Sequence, residues 1–438
     1  MSGPFDQAPR AEAFEANRDF AQSLDDRDPL ASRRDLFALP HRPGREEASG
    51  ESAIYFCGNS LGLMPRAVPQ ELQVECDDWA RLAVEAHFEG VTPWYSYHEV
   101  LREPAAAIVG AQPHEVVVMN SLTANLHFMM VSFYRPTKSR YRILIDGPTF
   151  PSDVYAVQSQ LRVHGFDPAD GLIHFFPEPG AETHRTERLI EEIEARGDEL
   201  ALVLLAGVNY ATGQFYDIEA ITRAARARGV PIGWDLAHAA GNVPLKLHEW
   251  GPDFAAWCSY KYLNSGPGAV AGCFVHERHA RNIDLPRFAG WWGNDPAERF
   301  RMEPKFQARP TADGWQLSNP PIMALAPMRV SYGMFREVGL EALRRKSLWL
   351  TGYLEWLVDR LGSDRVRVIT PRDPERRGAQ LSLQIPGRDG RAFLGALKER
   401  GVIADFREPD IIRVAPVPLY NTFEEVFEFA SILDELTQ

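Results

Sequence analysis

Gly229-Val230-Pro231-Ile232-Gly233-Trp234-Asp235-Leu236-Ala237-His238 sets the reading of the whole chain. A short apolar run ends at a carboxylate and turns. The next apolar run, residues 254–259, is followed directly by Lys261, in Trp257-Cys258-Ser259-Tyr260-Lys261-Tyr262-Leu263-Asn264. Continuously apolar runs of this length read as strands buried on both faces, as in a mainly parallel sheet. A buried charge needs a partner. An acid ending one such strand and a lysine after the next therefore point to something held between them.

Outward from this stretch the same texture repeats. Residues 115–119, 142–146, 172–176, 201–205 and 269–275 read as further strands. Residues 124–134, 154–164, Thr186–Arg196 and 217–228 have helical spacing between them. Upstream, residues 66–89 follow a helical pattern, and the first 50 residues mix acidic and basic groups, as an arm with one or two polar helices would. From about Met323 the pattern changes to long helices at 322–336 and 340–361. Short strands near 366–369, 379–383 and Ile411–Val414 follow, with helices at 391–400 and 422–436. The expectation is an α/β fold with a mainly parallel central sheet and a smaller α+β C-terminal domain. Its expected divisions are an arm over 1–58 packing with the small domain, a large domain over 59–321 and a small domain over 322–438.

Bulk properties narrow the class. With 45% hydrophobic and 24% charged residues the chain reads as globular. A net charge of −13 argues against a nucleic-acid surface, which needs a basic stripe. Cys57, Cys76, Cys258 and Cys273 are widely spaced and form no CxxC pair, so neither a zinc site nor a disulfide framework is expected. No apolar run approaches the roughly 20 residues of a membrane span. Residues 1–10 lack the apolar core of a secretory signal, and a cytoplasmic enzyme is the expectation.

Each candidate group also has a plain structural reading. Ser121-Leu122-Thr123, between a strand and a helix, offers donors for a phosphate, or is an ordinary N-cap. Phe150, in a Pro-rich turn, stacks on a flat ring or packs in a core. Asp235 with His238 holds a cofactor's ring nitrogen, or caps a helix. Lys261 is an activated amine or a surface lysine. A lysine in Schiff-base linkage with pyridoxal phosphate needs a carboxylate for the pyridinium nitrogen, and Asp235 and Lys261 on consecutive strands supply that pair. Arg413, inside an apolar strand, needs an anion: a substrate carboxylate or an internal acid. No HExxH, GxSxG, Walker loop or strand-following GxGxxG is present.

These residues together resemble the kynureninases, fold-type I pyridoxal-phosphate enzymes with the transferase-like fold. The match runs through Asn59-Ser60-Leu61-Gly62, Asn120-Ser121-Leu122-Thr123, Phe150-Pro151-Ser152-Asp153, Tyr210-Ala211-Thr212-Gly213 and Asp235-Leu236-Ala237-His238. It continues through Ser259-Tyr260-Lys261-Tyr262-Leu263-Asn264, Gly290-Trp291, Ser318-Asn319-Pro320-Pro321 and Arg413-Val414-Ala415-Pro416. That covers nearly everything after residue 50.

The resemblance implies a pyridoxal 5'-phosphate cofactor held by Lys261, with Asp235 on its ring nitrogen and Phe150 stacked on the ring. Leu122, Thr123, Asp153 and His238 line the site. Tyr260 and Trp291 contact the phosphate, with Asn319 nearby. Ser60, His87 and Asn319 flank the substrate's aromatic end, and Arg413 takes its α-carboxylate. Where the family carries a Ser or Thr hydroxyl at the cofactor ring, this chain has Ala206. The implied reaction is hydrolysis of L-kynurenine, or its 3-hydroxy derivative, in a homodimer, with no metal. Two rivals remain. A cysteine desulfurase on the same scaffold needs a nucleophilic cysteine on a late loop, whereas the last cysteine, Cys273, falls on an expected strand. A catalytically silent binding protein would not need Lys261, Asp235 and Arg413 together.

Overall fold

Alternation along seven short strands builds the sheet that positions everything else. The computed structural model describes Phe5, Pro9, residues 11–42 and residues 50–438. Parts of the expected arm, at 1–4, 6–8, 10 and 43–49, lie outside the described residues. The strands are β1 (Val116–Val118), β2 (Arg142–Asp146), β3 (Leu172–Phe175), β4 (Leu200–Ala206), β5 (Ile232–Asp235), β6 (Phe254–Trp257) and β7 (Gly272–Val275). Their order is β1-β7-β6-β5-β4-β2-β3. All pairs are parallel except those of β7, which runs antiparallel to both neighbours.

Successive side chains feed opposite faces. Leu144, Val203, Leu205, Trp234 and Ala255 enter one core, whereas Ile143, Ile145, Leu202, Leu204, Phe254 and Ala256 enter the other. Packing between β5 and β6 is close enough to require Gly233, where a Cβ would lie 2.0 Å from Phe254 Cζ. Overpacking there would cost about 1–3 kcal/mol.

The faces are covered by α1 (Leu122–Phe133), α2 (Pro151–Val163), α3 (Thr186–Arg196) and α4 (Ile218–Ala227). In α4 the buried Ile218, Ile221, Thr222 and Ala225 follow helical spacing, and the Asp217 carboxylate caps the start by accepting from Ala220 N at 2.9 Å. The expected helix over 66–89 stops earlier, with Val68–Leu82 helical and Ala83 left-handed at φ 49°. His87 therefore sits on a separate 3-10 stretch, Ala83–His87.

After residue 321 come α5 (Ile322–Val338) and α6 (Leu340–Asp359). An antiparallel sheet of β8 (Arg367–Val368), β9 (Leu381–Gln384), β10 (Asp405–Arg407) and β11 (Ile411–Val414) follows, in the order β8-β9-β11-β10, and then α7 (Phe423–Thr437). Sequence periodicity did not mark β10, because charged Asp405 and Arg407 interrupt any apolar alternation on this edge strand. Leu325, Ala326 and Tyr332 of α5 pack under the large sheet, whereas Leu350, Tyr353 and Leu354 of α6 join the core of the C-terminal sheet. Phe14, Ala21, Leu24, Ile54 and Phe56 of the arm share that second core.

Candidate active site

Ligands in open α/β sheets sit at the carboxyl ends of the strands, where loops and helix starts converge. Here β2, β4 and β5 end at Asp146, Ala206 and Asp235, and all three residues line one cavity of about 310 Å³. The start of α1 and the turn into α2 close one side, and the loop after β6 brings in Tyr260 and Lys261. Gly62 lets the segment carrying Ser60 press against that loop. Gly62 N donates to Tyr260 O at 2.8 Å, and a Cβ there would lie 2.3 Å from Lys261 O.

Lys261 Nζ lies 3.0 Å from His238 Nε2 and 5.9 Å from the Phe150 ring centroid. Burial, then the charges of Lys261, Arg413 and Arg407, holds His238 well below the usual imidazole range. His238 is therefore neutral and accepts from the ammonium. Asp235 is aimed by Ala237 N, which donates to its Oδ1 at 2.7 Å. Burial, and then the neighbouring Asp235 carboxylate, pushes Asp153 well above the usual carboxyl range. Two carboxyls this close favour a proton on Asp153. Burial also keeps the Tyr260 hydroxyl protonated by raising its pKa. Thr123 Oγ1 and Ser152 Oγ, 2.9 Å apart, bring two hydroxyls to the start of α1.

Arg413 has the internal acid that one reading of its sequence called for. Its Nε donates to Asp405 Oδ1 at 2.6 Å, its Nη2 bonds Asp405 Oδ2, and its Nη1 donates to Tyr210 O at 2.7 Å. A guanidinium has five N–H groups, so one on each Nη remains for a carboxylate arriving from the cavity.

The structure brings Ser60, Leu122, Thr123, Phe150, Asp153 and Ala206 to the cavity wall, together with Asp235, His238, Tyr260, Lys261 and Arg413. Three expected site residues do not line the cavity of this single chain. His87 packs edge-on against Trp94 at 5.5 Å, and its Nδ1 lies 3.0 Å from Val84 O. Trp291 is 39% exposed and meets Phe300 edge-on at 5.8 Å. Asn319 is exposed. All three sit on surface segments that one chain leaves facing outward.

Other lining residues were missed. Asp146 ends an apolar strand, the same signal that singled out Asp235. It is fully buried, accepting from Ala206 N at 3.2 Å, Asn209 Nδ2 at 3.1 Å and Tyr216 OH at 3.0 Å. Asn209 Nδ2 also reaches Pro148 O at 3.0 Å, tying the Phe150 turn to the Tyr210 loop that holds Arg413. Asn59 and Arg407 carried no local signal.

The wall fits pyridoxal phosphate. Asn59 Oδ1, Thr149 Oγ1, Asp153 Oδ1 and His238 Nδ1 are buried atoms in lining residues that have no partner within the protein. An amine, a carboxylate pair, an aromatic face and hydroxyls at a helix start complete the set that a cationic ring and an anionic phosphate require. No cysteine lines the cavity: Cys258 is buried behind its wall, with Sγ 3.9 Å from Ala237 O, Cys273 is buried, Cys57 is partly buried and Cys76 is exposed. Elsewhere, Glu115, His248 and His276 cluster, but they are occupied by internal bonds. Glu115 accepts from Gln112 N and Glu277 N and lies 3.0 Å from His248 Nδ1, and His276 Nδ1 accepts from Arg278 N.

Residues 343–433 match the family model described as the kynureninase C-terminal domain. The chain is 55% identical over 421 residues to the kynureninase of Myxococcus xanthus, covering 96% of this chain and 97% of the relative. The chain belongs to the kynureninase family. A second family member, from Koribacter versatilis, is 54% identical over 419 residues, again covering 96% of this chain and 97% of the relative.

Among solved structures, the cysteine desulfurase CsdA from Escherichia coli superposes with a TM-score of 0.75 at 15% identity, covering 93% of this chain and 99% of its own. C-DES, solved with glycine covalently linked to its PLP cofactor, gives a TM-score of 0.73 at 17% identity, covering 87% and 96%. At these identities the likeness is one of fold, and that fold is the fold-type I architecture expected from sequence. The high identity to kynureninases favours that family over the desulfurases, whose likeness is one of fold.

Proposed function

We propose that this chain hydrolyses the Cβ–Cγ bond of L-kynurenine to give anthranilate and L-alanine, with pyridoxal 5'-phosphate as cofactor. The observation that carries this reading is the meeting of Lys261, Asp235 and the free Nη edge of Arg413 on one cavity wall, in a member of the kynureninase family. When bound, the cofactor supplies an electron sink conjugated to the substrate's α-carbon.

The rest of the work falls to protein groups. The Asp235 carboxylate, aimed by Ala237 N, would hold the proton on the cofactor's ring nitrogen. Asp153 beside it, its pKa raised by burial and by the Asp235 carboxylate, favours the protonated form and so limits a second negative charge. Phe150 would cover one ring face, and the start of α1 with Thr123 would hold the phosphate. Arg413 binds the α-carboxylate end-on and so fixes the α-carbon above Lys261. The Lys261 amine, once free, removes the α-proton, and neutral His238 orients that amine. Tyr260, whose hydroxyl burial holds protonated, would give its proton to the ketone oxygen as water adds, take one back from the hydrate as that collapses to the carboxylic acid, and deliver it to Cβ as the bond breaks.

We assign His87, Trp291 and Asn319 to the cavity of a neighbouring copy in a homodimer. The exposed Phe88, Trp291 and Phe300 near these segments support this assignment, because a clustered apolar surface marks an interface. In that assembly Trp291 reaches the phosphate, and Ser60, His87 and Asn319 surround the substrate's aromatic end. The division into 1–58, 59–321 and 322–438 is proposed with it, as is a cytoplasmic location. No helix among the described residues is long and apolar enough to cross a membrane.

Purified holoenzyme offered kynurenine and 3-hydroxykynurenine separately, with anthranilate fluorescence and 3-hydroxyanthranilate absorbance followed, tests the reading. Release of product with matching L-alanine supports it, and silence with both substrates rejects it. The ratio of the two kcat/KM values names the preferred substrate.

A further inference from the structure

We infer that Arg407 is a positioning residue for substrate capture, acting through Asp405 to leave Arg413 electrostatically open to an incoming carboxylate. The inference rests on the kynurenine reading and deepens it.

Cross-strand register places Asp405 of β10 opposite Arg413 of β11. Period-two alternation puts Arg407 on the same face as Asp405. Asp405 Oδ2 bonds Arg413 Nη2, and Arg407 Nη2 lies 3.1 Å from that same oxygen. Both arginines line the cavity. One carboxylate therefore faces two guanidiniums, and this corner of the cavity carries a surplus positive charge.

The surplus decides what an anion meets. Were Asp405 paired with Arg413 alone, the bidentate pair would be neutral as a unit and would attract an arriving carboxylate only through its dipole. With Arg407 drawing on Oδ2, the Arg413 charge is incompletely offset while its geometry stays fixed by Asp405 and Tyr210 O.

The positions of neighbouring groups strengthen the argument. Arg407 Nη1 donates to Phe406 O at 2.9 Å, a second bond that fixes the guanidinium beside Asp405. Glu408, the next acid along the strand, pairs with Arg391 instead. Burial, and then the like charge of Arg413, lowers the pKa of Arg407, so its cation is held at a cost. Two crowded cations of this kind favour an anion between them.

Steady-state kinetics and L-alanine binding on the holoenzyme test the proposal, with binding read from the cofactor's absorbance and so independent of hydrolysis. Because β10 is a sheet edge and the Arg407 side chain is one-third exposed, the substitutions leave the core intact. Arg407→Gln should raise KM and the alanine Kd by roughly tenfold each, with kcat within about twofold. Arg407→Lys, which keeps the charge, should stay within about threefold of the parent in both. Added salt should raise KM more in the parent than in Arg407→Gln. An unchanged KM and Kd in Arg407→Gln overturns the proposal, as does a fall in kcat alone or a lysine variant as weak as glutamine. If no form of the protein releases anthranilate, the kynurenine reading fails, and the alanine titration still decides the role of Arg407.

Discussion

Lys261 Nζ donates to Nε2 of a neutral His238 across 3.0 Å. The amine that attacks and later moves protons is thus oriented by an acceptor that carries no competing charge. Because burial keeps His238 far below its ordinary range, it does not titrate near neutrality. His238→Gln, which retains an acceptor, should leave the shape of the kcat/KM profile between about pH 6 and 8 unchanged and lower its height by no more than about tenfold. Loss in the variant of an ionisation that the parent shows in that window would contradict a neutral His238.

Removing the amine is a sharper test. Lys261→Ala should lose the visible absorbance of linked cofactor, and anthranilate release should fall by at least about a thousandfold. A spectrum indistinguishable from the parent would refute the assignment of the lysine.

Arg413 makes three internal bonds and keeps two N–H groups for substrate. A lysine cannot reproduce that fork. Arg413→Lys should raise KM by about 10–100-fold, as expected for the loss of a charge-assisted bidentate contact. A drop in kcat at constant KM would place Arg413 elsewhere in the reaction.

The outward-facing His87, Trp291 and Asn319 give a test that needs no structure of the assembly. Lys261→Ala and Asn319→Ala proteins, each inactive alone, are mixed and allowed to exchange subunits. Half the dimers become hybrids, and each hybrid regains one intact site if Asn319 acts across the interface. Activity should therefore recover toward about a quarter of the parent's. A mixture as inactive as its components would show that Asn319 does not serve a neighbouring site.

The arm predicts a pH effect on stability. Asp25 accepts from Phe423 N and Glu424 N at the start of α7, and burial raises its pKa from 3.8 to about 6. Its folded pKa exceeds its unfolded one, so this contribution is fully present below 3.8 and is lost as pH rises through about 6. In Asp25→Asn the melting temperature should fall less steeply than the parent's between about pH 4 and 7, the gap widening by a few degrees. Parallel curves would show that Asp25 titrates alike folded and unfolded.

Legibility in the sequence followed the range of each interaction. Asp235 and Lys261 stood out because parallel strands are unbroken apolar runs, and chemistry collects where they end. Asp146 carried the same mark and was passed over, since its partners Asn209 and Tyr216 lie 63 and 70 residues away. Arg413 was legible as a buried cation, but its acid was not. Asp405 sits on an edge strand too short and too charged to show alternation.

The sequence by itself determined the fold class and the cofactor, because strand burial and strand ends are written in local periodicity and the motifs that resemble the kynureninases lie along the chain. Only the tertiary structure decided that Asp405 is shared by Arg413 and Arg407, that Asn209 ties the Phe150 turn to the Tyr210 loop, and that His87, Trp291 and Asn319 do not line their own chain's cavity. Those facts depend on contacts between segments distant in sequence, and no local pattern encodes which distant surfaces will meet.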